Sequence, residues 1–507
     1  MNQRPATHRD APSAYDTAAA QAGVRCIDVA ALAGALARPG APVLLDVRDA
    51  SEAAPGRIAG ATPLPRCRIE SRIGELVRDR ATPLVLCDAG GADDPRAALA
   101  AATLGRLGYR ELAVLEGGVD AWRAAGRDLV EGALVEAWSG PLQRDWPVPE
   151  IDATALAAWL RDDRSVALCD VRDPDEHLAG RIPGAVSIPD LELALHAVDL
   201  GGEDVVVVHC AGRARGTVVA RSLIELGLGN VVLLAGGSAG WRDDGRALER
   251  GAPRTRAAPT LASREFAELG AARLAQHAGV RRIEADALVG LLARAEANHA
   301  VFDVRDDAAY LAGHIGGCTA LAGGPALHGL PESVAVRDAP VVLVDELEAR
   351  ANLAATWLRR MGCSDVAILA GGLRGWRAAG RPLVCGHERS RPLGLREALR
   401  ASAALAAGDV GAWLSANGAA RVLHVDSCET FRRGHLPGAG WLPRAWLEPR
   451  IATFVPVRET PLLLTCEDGS QAVFAAATLR ERGYRELVWL DGGTQAWAAE
   501  GRALEVG

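Results

Sequence analysis

One motif recurs four times in this chain, and its spacing sets what the chain can fold into. It reads Gly-Gly, three residues, Trp, three residues, Gly-Arg: "GGVDAWRAAGRDL" from Gly117, "GGSAGWRDDGRAL" from Gly236, "GGLRGWRAAGRPL" from Gly371 and "GGTQAWAAEGRAL" from Gly492. The tryptophans Trp122, Trp241, Trp376 and Trp497 are 119, 135 and 121 residues apart. Solenoid repeats run roughly 20–50 residues, so these are domain-sized units. The 507 residues are also too many for one hydrophobic core; domains average about 100–200 residues.

A second mark precedes the first in each unit. "VLLDVRDASE" holds Asp46, "ALCDVRDPDE" Asp170, "AVFDVRDDAA" Asp303 and "VLHVDSCETF" Asp426. A glycine turn follows each: "GRIAGA", "GRIPGA", "GHIGGC", "GHLPGA". Short Val/Leu runs alternate with stretches of helical period such as "AALAAATLGRLGY". Runs of that kind read as buried parallel strands, and the alternation implies right-handed crossovers. The expected fold class is α/β, with four tandem domains that each have a central parallel sheet flanked by helices. The boundaries fall in Pro- and charge-rich segments. We read a disordered lead over 1–22 and units over 23–130, 147–250, 260–386 and 395–507. The third opens on an extra helix, "LASREFAELGAARLAQHAG".

The units differ where chemistry would sit. After the strand "VVVVH", unit two reads "CAGRARG" from Cys210. Unit four reads "CEDGSQA" from Cys466, unit one "CDAGGADD" from Cys87 and unit three "DELEARA" from Asp345. Cys210 to Gly227, Cys466 to Gly483 and Asp345 to Gly362 each span 17 residues, so an aspartate stands in the cysteine's place in unit three. Cys87 to Gly108 spans 21, a loop with about four extra residues. A loop between strand end and helix start turns N–H groups inward as an anion nest, and the helix dipole adds positive potential. A reactive cysteine needs its thiolate, which positive charge favours. Unit two supplies small residues (Ala211, Gly212, Ala214, Gly216) with Arg213 and Arg215. Units one and four put Asp88, Asp93, Asp94, Glu467 and Asp468 there instead, which disfavours a thiolate. The expected nucleophile is Cys210, with Cys87 and Cys466 as buried relics.

Other residues have structural readings. Asp170 and Arg172 form a buried pair that holds the strand end. Cys428 stands where the other units have Arg48, Arg172 and Arg305, so unit four loses that pair. The motif tryptophans are core residues whose indole N–H needs a partner. His209 points to the face of its strand opposite Cys210. His177 and Glu176 read as solvated, with Arg181 as a partner for Glu176.

The bulk numbers exclude several classes. A net charge of -8 argues against a nucleic-acid binder. No run of about 18 apolar residues is present, so no membrane span is expected. The N-terminal segment lacks an apolar core of the secretory kind, which points to the cytoplasm. Ten scattered cysteines without a C-x-x-C pair point to neither zinc nor a disulfide framework. We expect no metal and no cofactor; the oligomeric state is left open.

In order, the Asp-Val-Arg opening, the Gly-x-Ile-x-Gly-Ala turn, the strand-cysteine-loop-helix and the Gly-Gly-x-x-x-Trp ending resemble the rhodanese family of sulfurtransferases, four times over. The resemblance implies that Cys210 takes up a sulfane sulfur as a persulfide, from thiosulfate or a persulfide donor, and passes it to cyanide, a small thiol or a protein thiol. Ala211 to Gly216 would hold the donor, with Asp170 and Arg172 in support. In two-unit relatives an inactive unit walls the active one, which implies pairs one–two and three–four, with unit one over Cys210. Two alternatives remain. Phosphatases on this fold carry His-Cys, five residues, then Arg, whereas here four residues separate Cys210 from Arg215. The three degenerate loops would also suit a scaffold or a redox or sulfide sensor.

Overall fold

A computed structural model describes residues 23–91, 93–130, 144–162, 164–321, 333–388 and 391–507. The 1–22 lead lies outside the described residues. The chain forms four five-stranded sheets, and every pairing within them is parallel. In unit two the strands are Glu150–Ile151, Val166–Asp170, Val186–Ser187, Val205–His209 and Val231–Leu234. Their order across the sheet is third, second, fourth, fifth, first, and the other three units repeat it. The strand before the critical loop is therefore central, and all four valines of Val205–Val208 are buried. Ligands of open parallel sheets bind beyond the carboxyl ends of such strands. Among the described residues no helix is long and apolar enough to cross a membrane.

The recurring motif has a mechanical reason. Gly237 holds φ +54°, and a Cβ there would stand 2.2 Å from the Cys210 carbonyl oxygen and 2.6 Å from that of Gly212. With nothing in the way, the helix Gly237–Asp243 starts directly against the loop. Its Ser238 and Ala239 N–H groups donate to the carbonyls of Cys210 and Ala211 at 2.9 and 3.0 Å. The glycine turn thus turns the loop's carbonyls outward. Each motif tryptophan donates its indole N–H to the carbonyl six residues on: Trp122 to Asp128, Trp241 to Ala247, Trp376 to Pro382 and Trp497 to Ala503.

Strand register corrects two alignments. In unit two, His209 is paired with Asp170 and Cys210 follows the strand. In unit one the residue paired with Asp46 is Cys87, the last of its strand. Asp88, and not Cys87, therefore stands in the place of Cys210. In unit four, Thr465 is paired with His424, so His424 stands where Asp170 does. Two residues on, Asp426, and not Cys428, stands where the other units have Arg48, Arg172 and Arg305. Cys428 opens the helix Cys428–Arg433.

The units do not pair one with two and three with four. Unit two packs on unit three, and unit one on unit four. Between two and three, the Trp357 indole donates to Ser222 Oγ at 2.9 Å, and Arg360 bonds Glu225 at 2.9 Å. Ser222 and Trp357 lie 12 residues after Cys210 and Asp345, and Glu225 and Arg360 lie 15 after them. Equivalent helix faces therefore meet about a local two-fold. The helix Leu261–His277 joins this interface with a stripe of small buried residues, Ser263, Ala267, Gly270, Ala271 and Ala275. Between one and four the contacts are reciprocal: Arg66 bonds Glu448 and Arg444 bonds Glu70, all buried. Units one and four both carry Arg and, four residues on, Glu. Unit two has Asp190 and Ala194 at those positions and cannot make the exchange, which is why unit one does not close over Cys210.

Candidate active site

Cys210 stands at the mouth of the central strand of unit two and is 2% exposed. Burial is the largest influence on its thiol and pushes the pKa up from the ordinary value. The backbone N–H groups of Gly216 and Gly212 near the sulfur oppose that rise, as does the nearby Arg215 guanidinium. Positive charge therefore tempers the thiol, but burial outweighs it. Gly216 also lets the helix Ala214–Leu226 come close: a Cβ there would meet Leu233 at 2.6 Å.

The two arginines part company. Arg215 is buried and forms a bidentate pair with Glu176 at 2.7 and 3.0 Å, with Asp173 at 4.0 Å. Glu176 is thus neither free in solvent nor paired with Arg181. The Arg213 side chain is half exposed and pairs at the rim with Glu150. Only its backbone stays in the loop. Burial, with the neighbouring Glu176, Asp175 and Asp307, lifts the Asp173 carboxyl to about 6 against the pull of Arg215.

Behind the sulfur lies a buried polar cluster. Arg172 grips Asp170 through Nε at 2.9 Å and Nη2 at 2.7 Å, and also bonds the Gly180 carbonyl at 2.8 Å. His177 is fully buried, contrary to the solvated reading, with Nδ1 2.9 Å from Asp170 Oδ2. His209 Nδ1 stands 3.9 Å from Asp170 Oδ1. Burial works against a charge on Asp170, but the bonds from Arg172 and His177 and the Arg172 charge hold its carboxyl well below the usual range. Burial also lowers the His209 pKa, so its imidazole is neutral at neutral pH. His209 faces Asp170 and the Cys210 carbonyl, 3.4 Å away. Together these residues lock the strand end from which the loop departs. Sequence reasoning missed Glu176, Asp173 and His177. One signal was available: Glu52 and Arg96 repeat the Glu176–Arg215 pair in unit one.

The other loops use the same cradle differently. In unit three Asp345 Oδ2 accepts the N–H of Arg350 at 3.0 Å, and its other oxygen takes the Arg350 side chain at 2.7 Å. Glu268, from the helix Leu261–His277, accepts the N–H groups of Glu348 and Ala349 at the start of the loop helix. In unit one Asp88 accepts the Ala97 N–H at 2.9 Å and the Gly90 N–H at 3.1 Å. In unit four Cys466 keeps the thiol, bonded by the Ala472 N–H at 3.4 Å. Burial, aided by Asp426 and Asp468, pushes that thiol to about 12. Gln471 replaces the arginine and is tied to Arg444 at 3.2 Å.

The rhodanese-like domain family matches at residues 28–125, 152–244, 285–379 and 407–500, well over half the chain. A sulfurtransferase of Allochromatium vinosum is 33% identical over 98 residues, 19% of this chain and 92% of that protein. An HTH-type transcriptional regulator of Mycobacterium tuberculosis, Rv0324, is 36% identical over 107 residues, 20% of this chain and 46% of the regulator. The crystal structure of a thiosulfate sulfurtransferase from Pseudomonas aeruginosa has a TM-score of 0.85 at 30% identity and covers 96% of this chain and 90% of that one. With four family matches in tandem and one loop that presents a thiol to paired backbone amides beside an arginine, the chain belongs to the rhodanese-like family and is a sulfurtransferase.

Proposed function

We propose that the chain moves a sulfane sulfur from thiosulfate, or a persulfide donor, to cyanide or a thiol through a persulfide on Cys210. The Cys210 thiolate attacks the outer sulfur of thiosulfate. A new S–S bond forms, and sulfite leaves with the electron pair of the old one. The acceptor then attacks the outer sulfur of the persulfide, takes it as thiocyanate or a persulfide, and returns the thiolate. This is covalent catalysis in two half-reactions.

The observation that carries the reading is internal to the chain. In unit three Asp345 fills the position of the sulfur, and the Glu268 carboxylate caps the N–H groups of Glu348 and Ala349. The equivalent groups in unit two are the N–H of Arg213 and Ala214, and no carboxylate among the described residues accepts from them. Unit three therefore places, as its own side chains, one carboxyl at the position of the sulfur and a second at the amides where a bound donor would sit. Donor oxygens at the Arg213 and Ala214 amides would lie in the helix dipole, with Ala211, Gly212 and Gly216 keeping the cradle small.

The test is mass spectrometry after incubation with thiosulfate. Peptide mapping is expected to show one added sulfur on the Cys210 peptide, removable by cyanide. Turnover is expected to vanish in Cys210→Ser and persist in Cys466→Ser and Cys87→Ser. Sulfur on another cysteine, or full turnover without Cys210, overturns the assignment.

A further inference from the structure

Units one and four enclose a cleft of about 800 Å³, lined among others by Asp49, Asp426, Cys67, Cys428, Trp441 and Trp446. Its chemistry follows from one position. Three units place an arginine at the second residue after the strand-end aspartate, and each Arg–Asp pair neutralises itself. In unit four both residues change: His424 replaces the aspartate and Asp426 the arginine. His424 is fully buried, and burial lowers its pKa to about 4, so it is a neutral imidazole. Asp426 thus lacks the built-in arginine partner that the strand-end aspartates of the sister units have.

Asp426 is 6% exposed. One carboxylate oxygen accepts the Ser427 N–H at 2.8 Å. The other has no hydrogen-bond partner among the described residues, and the residue lines the cleft. A carboxylate this buried is costly unless paired. Asp49 adds a second acid; burial, joined by Asp49 and Asp426, pushes the Cys67 thiol up to about 11 against the pull of Arg444 and Arg68. Trp441 is fixed beside Asp426, its indole N–H donating to the Asp426 carbonyl at 2.9 Å, with the ring partly exposed. Three arginines share the lining: Arg450 lies over the Trp446 ring at 4.2 Å, and Arg68 and Arg432 stand exposed at its rim. A largely buried carboxylate beside a partly exposed indole is a combination that suits an organic cation. We propose that the unit one–unit four cleft is a binding site for a small organic ammonium ion, with Asp426 as its counter-charge and Trp441 as its wall.

The site is independent of the Cys210 chemistry, and so is its test. The rate at which iodoacetamide alkylates Cys428 and Cys67 in the full chain is followed by peptide mapping. Tetramethylammonium chloride is titrated against sodium chloride at equal ionic strength and against neutral tert-butanol. The expected result is a saturable, severalfold slowing at the two cleft cysteines by the ammonium alone, with Cys210 alkylation unchanged. Asp426→Asn is expected to abolish the protection. Asp426→Arg, which restores the residue of the sister units, is expected to abolish it as well and guards against misfolding of the first variant. Equal slowing by salt or tert-butanol, or protection that survives in either variant, overturns the proposal.

Discussion

Units two and three carry the same loop on the same strand, and the two loops end in opposite chemistry. Each has 17 residues from the critical position to the glycine that ends the helix. Each turns backbone N–H groups inward and meets its partner unit across equivalent helix faces. Unit two sets a thiol in that cradle and leaves the flanking amides without an internal acid. Unit three sets a carboxylate there, clamps it with Arg350 and caps the amides with Glu268. The loop is thus an anion holder first. Whether it becomes a catalytic site depends on whether the anion it holds is part of the chain.

The largest test exchanges the two solutions. Cys210→Asp is expected to lower sulfur transfer by about three orders of magnitude or more, as loss of a nucleophile does, while thermal unfolding shows an intact domain because the carboxylate takes the Gly212 and Gly216 amides. Asp345→Cys alone is expected to gain no sulfur from thiosulfate. Asp345→Cys with Glu268→Ala is expected to begin to, read by mass spectrometry. A fully active Cys210→Asp enzyme would break the comparison.

The next probes the shared interface. Trp357→Ala removes a fully buried indole and its bond to Ser222, and is expected to cost about 3–5 kcal/mol in denaturant unfolding of the two–three pair. Little change would mean that the helix faces do not hold the units together.

Arg215→Ala sharpens the electrostatic half. Loss of a charge-assisted partner is worth about 1.5–3 kcal/mol, roughly ten- to a hundredfold in sulfur uptake. Burial already raises the Cys210 thiol, so loss of the cation raises it further, and the pH profile of Cys210 alkylation is expected to move to more alkaline pH. An unmoved profile would assign Arg215 a purely structural task with Glu176.

The smallest effect concerns Asp173. Its folded pKa of about 6 lies above the unfolded value of about 3.9. Stability from this group is therefore fully present below about pH 4 and is lost as pH rises through about 6. Asp173→Asn is expected to gain about 1 kcal/mol at pH 8, discounted for its partial exposure, and nothing below pH 4. Unfolding titrations across that range give the sign.

The fourfold repeat, the parallel sheets and the position of the Cys210 loop at a strand end were legible in the sequence because glycines, strand runs and loop length are local signals. Register was not local. Taking Cys87 for the unit-one counterpart of Cys210 matched letters, and the strand pairing of Cys87 with Asp46 shows the match to be one residue off. Unit four misled in the same way, since its aspartate had moved two positions and hidden a charge reversal. The pairing of units was written in Arg66, Glu70, Arg444 and Glu448, but those letters acquire meaning only once the turns that carry them are known to face each other. The capture of Arg215 by Glu176 was harder to see, because 39 residues separate them and only the central strand brings their elements together.

The nested pairing has a consequence for how the chain is made. Arg66 reaches its carbonyl partner Arg444 across 378 residues, so unit one leaves the ribosome long before the surface that will cover it exists. Units two and three follow and can complete their own interface while unit four is still being translated. At translation rates of about 5–20 residues per second, the outer surface of unit one waits tens of seconds for its partner. A polar Arg/Glu exchange, in place of a bare apolar face, keeps that waiting surface hydrated and unattractive to other nascent chains until unit four arrives to cover it.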